Sequence, residues 1–297
     1  MCATELRHTR FKMAQIISKL PSEDWNLDGL VKSYALWLEV KAPEHLSAFR
    51  QRLNSDPEAA RAEGVVFGLL RGAALNPGMG EVIGKGGVDF ICEPRNHSKF
   101  AVEVTSLRTE TVTKASGLQS PVGVGGFFGQ VTTALMREAV NKATQLADYP
   151  MPRLLVIATE HEGASMVMGT HAAEELLTGT TMFQVKIGDV EASPEVIAPL
   201  KNSVFFRPKN DTVEPARQSI SAILLLSITH DRAFALGLLH PAPAVVFDWQ
   251  VLPRVHFVRL REWPITNRFG IEWVGPQPSP ASFLHMPIVL NDADLKT

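Results

Sequence analysis

Two carboxylates, Asp89 and Glu103, lie in a segment whose pattern brings them face to face. Residues 86–107 read GGVDFICEPRNHSKFAVEVTSL, with turn chemistry at 94–98 between two runs of strand-forming residues. A five-residue loop pairs Glu93 with Lys99. The register that follows sets Ile91 opposite Ala101 and Asp89 opposite Glu103. Alternation then gives Val88, Phe90, Cys92, Phe100, Val102 and Val104 one apolar face, and Asp89, Glu103 and Thr105 the other. Like charges directly opposite one another destabilise a sheet. Close carboxylates cannot both stay ionised unless a proton or a cation intervenes. A hard divalent cation, Mg²⁺ or Mn²⁺, resolves the conflict by taking carboxylate oxygens together with water and phosphate. The competing reading is a solvated sheet face whose acids hold nothing.

The elements around this hairpin follow from periodicity. The first 60 residues read as helical, with Leu30, Val31, Tyr34, Ala35 and Leu38 at helical spacing and Pro21 and Pro43 as breaks. Another helix is predicted from about 57 to 75, with Val65, Val66, Leu69, Leu70 and Ala73 as its stripe. Glycine-rich stretches, Gly72 to Gly87 and Gly117 to Gly129, bracket the hairpin. Residues 128–147 carry a helical stripe of Val131, Leu135, Ala139, Ala143 and Leu146. Arg153 to Thr159 (RLLVIAT) reads as a strand buried on both faces. Residues 182–187, 244–249 and 255–260 read as strands, and 219–228 is apolar without a decisive period.

An acidic residue on the preceding helix, Glu63, then a Gly-rich link, Asp89, Glu103, a helix and a buried strand together resemble the PD-(D/E)XK, or restriction-endonuclease-like, nuclease superfamily. The resemblance spans about residues 56–160. It implies that Asp89 and Glu103 hold the metal and that Glu63 is a supporting acid. The family's lysine would stand two residues after the glutamate, where this chain has Thr105. That departure removes the ammonium that would orient water or stabilise the charged transition state. Lys142, on the helix after the motif, is the candidate substitute, with Gln145 on the same face to hold water or a phosphate. Lys142 has a second reading as an i,i+4 salt bridge to Glu138. Glu63 likewise has one as an exposed member of a mixed-charge stretch.

Three-layer α/β/α architecture with a central mixed sheet is the expected fold. A helical N-terminal region (1–55) precedes the α/β domain (56–274), and a Pro-rich connector and tail (275–297) follow. The expected function is metal-dependent hydrolysis of DNA phosphodiesters. The alternative is an inactive relative that binds nucleic acid or protein. Arg254, Arg259, Arg261 and Arg268, interleaved with Trp249, Phe257 and Trp263, are candidates for backbone contact and stacking. Such residues are more often simply the edge of a strand with snorkelling arginines.

Composition limits the partners. With 297 residues and a net charge of −2, the chain is no bulk-charge nucleic-acid binder. No apolar run approaches the roughly 20 residues of a membrane span. Two cysteines and no secretory h-region imply a cytoplasmic setting. The run GMGEVIGKGG fails as a phosphate loop, because its glycine spacing is short and Lys85 is followed by Gly86. His161–Glu162 lacks the second histidine of a zinc-protease helix.

Overall fold

The computed structural model describes residues 26–82, 84–116, 128–161, 168–179, 200–230, 232–263 and 268–275. Three helices follow one another with single-residue joints: α1 (Leu27–Lys41), α2 (Pro43–Ser55) and α3 (Pro57–Gly72). Asn26 caps α1 by accepting from Gly29 N–H at 2.9 Å, and Pro43 and Pro57 open the next two helices. Proline suits a first helical turn, where its missing N–H would have no partner. Leu30, Tyr34 and Leu38 form the buried stripe of α1. Gly64 and Gly68 let α1 lie close on α3, since a methyl group at either position would crowd Val31 or Leu30. The rings of Tyr34, Phe49, Phe67 and Phe90 then meet edge-on or tilted at 4.8 to 6.2 Å.

A single sheet of eight strands runs β1 (Pro77–Met79), β2 (Phe90–Cys92), β3 (Phe100–Ser106), β4 (Arg153–Thr159), β7 (Ala222–Ile228), β8 (Ala233–Leu239), β9 (His256–Trp263) and β10 (Arg268–Val274) in spatial order. β3, β4 and β7 are parallel, as are β8 and β9, and the remaining pairs are antiparallel. β5 (Phe206–Lys209) and β6 (Thr212–Pro215) form a separate hairpin. One face of the large sheet packs on α1, α2 and α3. The other is covered by α4 (Thr109–Ser116), α5 (Phe128–Gln145) and α6 (Thr170–Thr178). The fold is therefore mixed α/β with helices on both faces. Residues 26–55, read from sequence as a preceding region, share one apolar core with α3 and the sheet.

The hairpin register is the one the loop length dictates: Phe90 faces Val102, Ile91 faces Ala101 and Cys92 faces Phe100. All seven residues of β4 are buried, as the unbroken apolar run predicts. The undecided stretch 219–228 resolves as β7, buried throughout. Two expectations are corrected. Val88 joins the α5 side of the core, not the face of Phe90 and Cys92, because the chain leaves regular pairing before β2 begins. Residues 244–249 are not a strand. Pro241 and Pro243 remove donors, and Asp248 accepts from Gln250 N–H at 3.0 Å to start a 3₁₀ turn, Trp249–Val251. The expected strand at 182–187, most of the second glycine-rich stretch and the Pro-rich connector lie outside the described residues.

Candidate metal centre

Asp89 precedes β2, and its backbone carbonyl accepts from Gly80 N–H at 3.1 Å. Its carboxylate turns across the hairpin, where Oδ2 accepts from Val104 N–H at 2.7 Å. A side chain thus fills a place that a backbone carbonyl would take in a continuing ladder, which fixes Asp89 against β3. Glu103 stands at the middle of β3 with its side chain only 4% exposed. Burial chiefly, and then the charge of Glu103, push the Asp89 carboxyl up to about 7 against the helping Val104 N–H and the cations Lys142 and Arg52. Burial also raises the Glu103 carboxyl, while Lys142 and Gln145 oppose the rise.

α5 delivers the cation. Lys142 Nζ donates to Glu103 Oε1 at 2.6 Å and to Gln145 Oε1 at 3.1 Å. Gln145 Nε2 in turn donates to the Gly87 carbonyl at 3.0 Å. Lys142 therefore reaches Glu103 and not Glu138, which instead accepts the Thr105 hydroxyl at 3.2 Å. Gly87 has φ +148°, and a Cβ there would strike the Gly80 carbonyl and the Tyr149 hydroxyl. That hydroxyl accepts from Val88 N–H at 2.9 Å, so the turn into Asp89 is held from α5's C-terminal side.

Glu63 is neither exposed nor a third member of the acidic pair. It is buried on α3 in an ion pair with Arg52 of α2. Arg52 carries a charge that Asp89 feels, so Glu63 connects to the centre through an arginine. Sequence reading missed Arg52, because nothing in the spacing of residues on two separate helices marks the pair. Among the described residues, no group of three or more His, Cys, Asp and Glu side chains gathers to hold a metal. A cation here would rest on two carboxylates and complete its shell with water, a donor set that suits Mg²⁺. The fit is supported by Glu103 Oε2, which is buried without a hydrogen-bond partner. A buried carboxylate oxygen without a partner, on a residue whose charge acts on a second carboxyl, is an arrangement a cation would satisfy.

The arginine strip does not join this centre. β9 lies four strands from β3, roughly 19 Å at ordinary strand spacing. Arg259 donates to Glu272 Oε1 of β10 at 2.6 Å, and Arg261 lies 3.9 Å from the other oxygen of the same residue. Arg254 lines a shallow surface depression beside α3, with Gly68, Gly72 and Leu252. Phe257 is fully buried in the core and offers no free stacking surface, and Trp249 is partly buried and packs over Gly275. The side chains of Trp263 and Arg268 lie outside the described residues.

Comparison with protein-family models, with curated proteins and with solved structures found no match to this chain. Among the described residues, no helix is long and apolar enough to cross a membrane.

Proposed function

We propose that this chain is a metal-dependent nuclease that hydrolyses phosphodiester bonds of DNA, on a restriction-endonuclease-like version of the α/β fold. The observation that carries the reading is Lys142, held by Gln145, on Glu103, with Glu103 Oε2 unpartnered and Asp89 fixed on the adjoining Val104 N–H of the same strand. Asp89 and Glu103 would hold the cation. Bound there, Mg²⁺ or Mn²⁺ supplies charge neutralisation at the scissile phosphate and acidifies the attacking water. Lys142 presents a fixed positive charge to the phosphate oxygens as negative charge builds on them. Gln145 fixes the ammonium by bonding it on one side and the Gly87 carbonyl on the other, so little rearrangement is needed at the moment of reaction. Lys142 thus takes the role that Thr105 cannot, while Thr105 is engaged with Glu138.

The test is incubation of the protein with plasmid and single-stranded DNA in Mg²⁺ or Mn²⁺, beside Asp89→Ala and Glu103→Ala. Metal-dependent cleavage by the wild type, lost in both variants, is the expected result. Wild-type cleavage no greater than that of the variants on either substrate would sink the reading. The non-catalytic alternative, motivated by threonine at the lysine position, predicts DNA binding without cleavage in the same experiment.

A further inference from the structure

Two polar rungs join β3 to α5 on one side of the sheet. Alternation along β3 turns Glu103 and Thr105 to the same face, about 7 Å apart. Opposite them on α5, Lys142 and Glu138 stand about one turn apart, roughly 6 Å along the helix. Lys142 Nζ closes the first rung on Glu103 Oε1 at 2.6 Å. The Thr105 hydroxyl closes the second by donating to Glu138 Oε2 at 3.2 Å. Val104 lies between Glu103 and Thr105, and its N–H holds Asp89 Oδ2 at 2.7 Å. The Asp89 carboxylate is therefore fixed at a level between the two rungs.

Glu138 is held differently from other carboxylates of this fold. Glu160 takes two donors of Arg61 at 2.6 and 2.5 Å, Glu214 closes on Arg207 and Lys209, and Glu272 closes on Arg259. A lysine one turn further along a helix is an ordinary partner for a glutamate, yet Lys142 passes over Glu138 for Glu103. A neutral hydroxyl fixes one oxygen of Glu138, and Oε1 has no hydrogen bond among the described residues. The residue is half-buried, and Oε1 is not one of its buried unpartnered atoms, so that oxygen meets solvent.

Hydrolysis requires a group that accepts a proton from the attacking water. The ammonium of Lys142 has no lone pair to offer, and the amide of Gln145 is no base. Asp89 and Glu103 are committed to the cation. We propose that Glu138 is the general base of the reaction, and that Thr105 is the positioning residue that aims it. The assignment rests on the nuclease reading for the identity of the reaction. Water between the rungs gives a proton to Glu138 Oε1 as its oxygen bonds to phosphorus. The bond from phosphorus to the leaving oxygen breaks, and that oxygen takes a proton from solvent. Glu138 then returns its proton to solvent. Threonine at the lysine position thereby has a task of its own: its single proton fixes the carboxylate that does the work of the base.

Glu138→Gln keeps the size of the side chain and an acceptor for Thr105 while removing the base. In Mg²⁺ cleavage assays it should lower kcat about 100-fold or more, with KM within about threefold. Formate added to Glu138→Ala should restore part of the rate, with chloride at equal concentration as the control. Thr105→Val should lower kcat about tenfold, and Thr105→Ser, which keeps the hydroxyl, should recover it. One readout needs no turnover: the rise in Tm with millimolar Mg²⁺ should be the same in Glu138→Gln as in the wild type. Loss of that rise would make Glu138 a holder of the cation and overturn its role as base. A slow Glu138→Gln with no response to formate in Glu138→Ala would make it a structural support, and overturn the role too. A kcat within about threefold of wild type in Glu138→Gln overturns it with the nuclease reading intact. If the wild type cleaves no DNA, the nuclease reading fails and the assignment falls with it.

Discussion

The two ends of the large sheet solve the same problem in opposite ways. At the β9–β10 end the register places Arg259 directly across from Glu272, and the opposite charges close on each other at a partly exposed surface. At the β2–β3 end the chain places Asp89 beside Glu103 where both carboxyls are driven upward by burial. Lys142 answers one oxygen of Glu103 and the other is left without a partner. A charge pair that is complete without help has a bland structural explanation. An incomplete one that the fold nonetheless holds in place is where a functional site is sought. This contrast, and not the count of basic residues, locates the candidate site.

The strongest way to break the contrast is to remove the acids. Asp89→Ala and Glu103→Ala should each lower metal-dependent cleavage by about 100-fold or more, measured as initial rates on plasmid DNA. In thermal melts, millimolar Mg²⁺ should raise the Tm of the wild type and leave those variants unmoved, a readout that needs no turnover. A Tm shift of equal size in all three proteins would mean that the cation binds elsewhere.

Next in size is the cation on α5. Lys142→Met leaves Glu103 buried and without its ammonium partner, which should destabilise the fold by roughly 2 to 3 kcal/mol in urea unfolding. Glu103→Gln added to that variant should restore much of the loss. If the double variant is no more stable than the single, the Lys142–Glu103 pair is not what the loss reports.

The pH dependence sharpens the comparison further. Asp89 holds its proton up to about 7 in the folded chain and only to about 3.8 as a free side chain. The folded state therefore binds more protons between those values, and this contribution to stability is full at low pH and declines as pH rises towards 7. Buried His240, pushed down to about 4 from 6.5, acts with the opposite sign in an overlapping window, losing stability as pH falls. The difference between wild type and Asp89→Asn isolates the carboxylate. Without divalent cation, the variant's advantage in urea midpoint should grow from pH 5 to pH 8. A constant difference across that range would contradict the burial of the charge.

The smallest effect belongs to the other end of the sheet. Arg259→Ala should change stability by no more than about 1 kcal/mol, the ordinary range for an exposed ion pair. It should leave DNA cleavage unaltered. A large loss of cleavage on this change would return the arginine strip to the substrate path.

Much of the candidate site was legible because it depends on local counting. A five-residue loop fixes the hairpin register, and register alone sets Asp89 near Glu103. Helical spacing placed Lys142 and Gln145 on one face, and the structure aims that face at Glu103 and Gly87. What was not legible depends on partners distant in sequence. Glu272, which neutralises Arg259, lies on a strand beyond the basic run, so counting charges within the run overstated its field. Arg52 meets Glu63 only because α2 folds back along α3. β8 escaped notice because AFALGLL has neither alternation nor strong strand formers, and its Gly237 serves to admit the ring of Phe257 from β9. Val88 was assigned by extending the period-two pattern past the point where the Asp89 side chain replaces the ladder.

The close crossing of α1 on α3 has a consequence for how substitutions at this centre would be read. Gly64 sits next to Glu63, and a methyl group added there would press within about 3.1 Å of the Val31 backbone, where nothing flexible can yield. Relief requires α1 and α3 to move apart, and Glu63 travels with α3. A screen that scores only surviving activity would therefore assign Gly64 to the active centre, although its own atoms face the opposite helix. Tolerance at this position measures how rigidly the helical layer transmits a packing error, and it sets a limit on inferring chemistry from sensitivity alone.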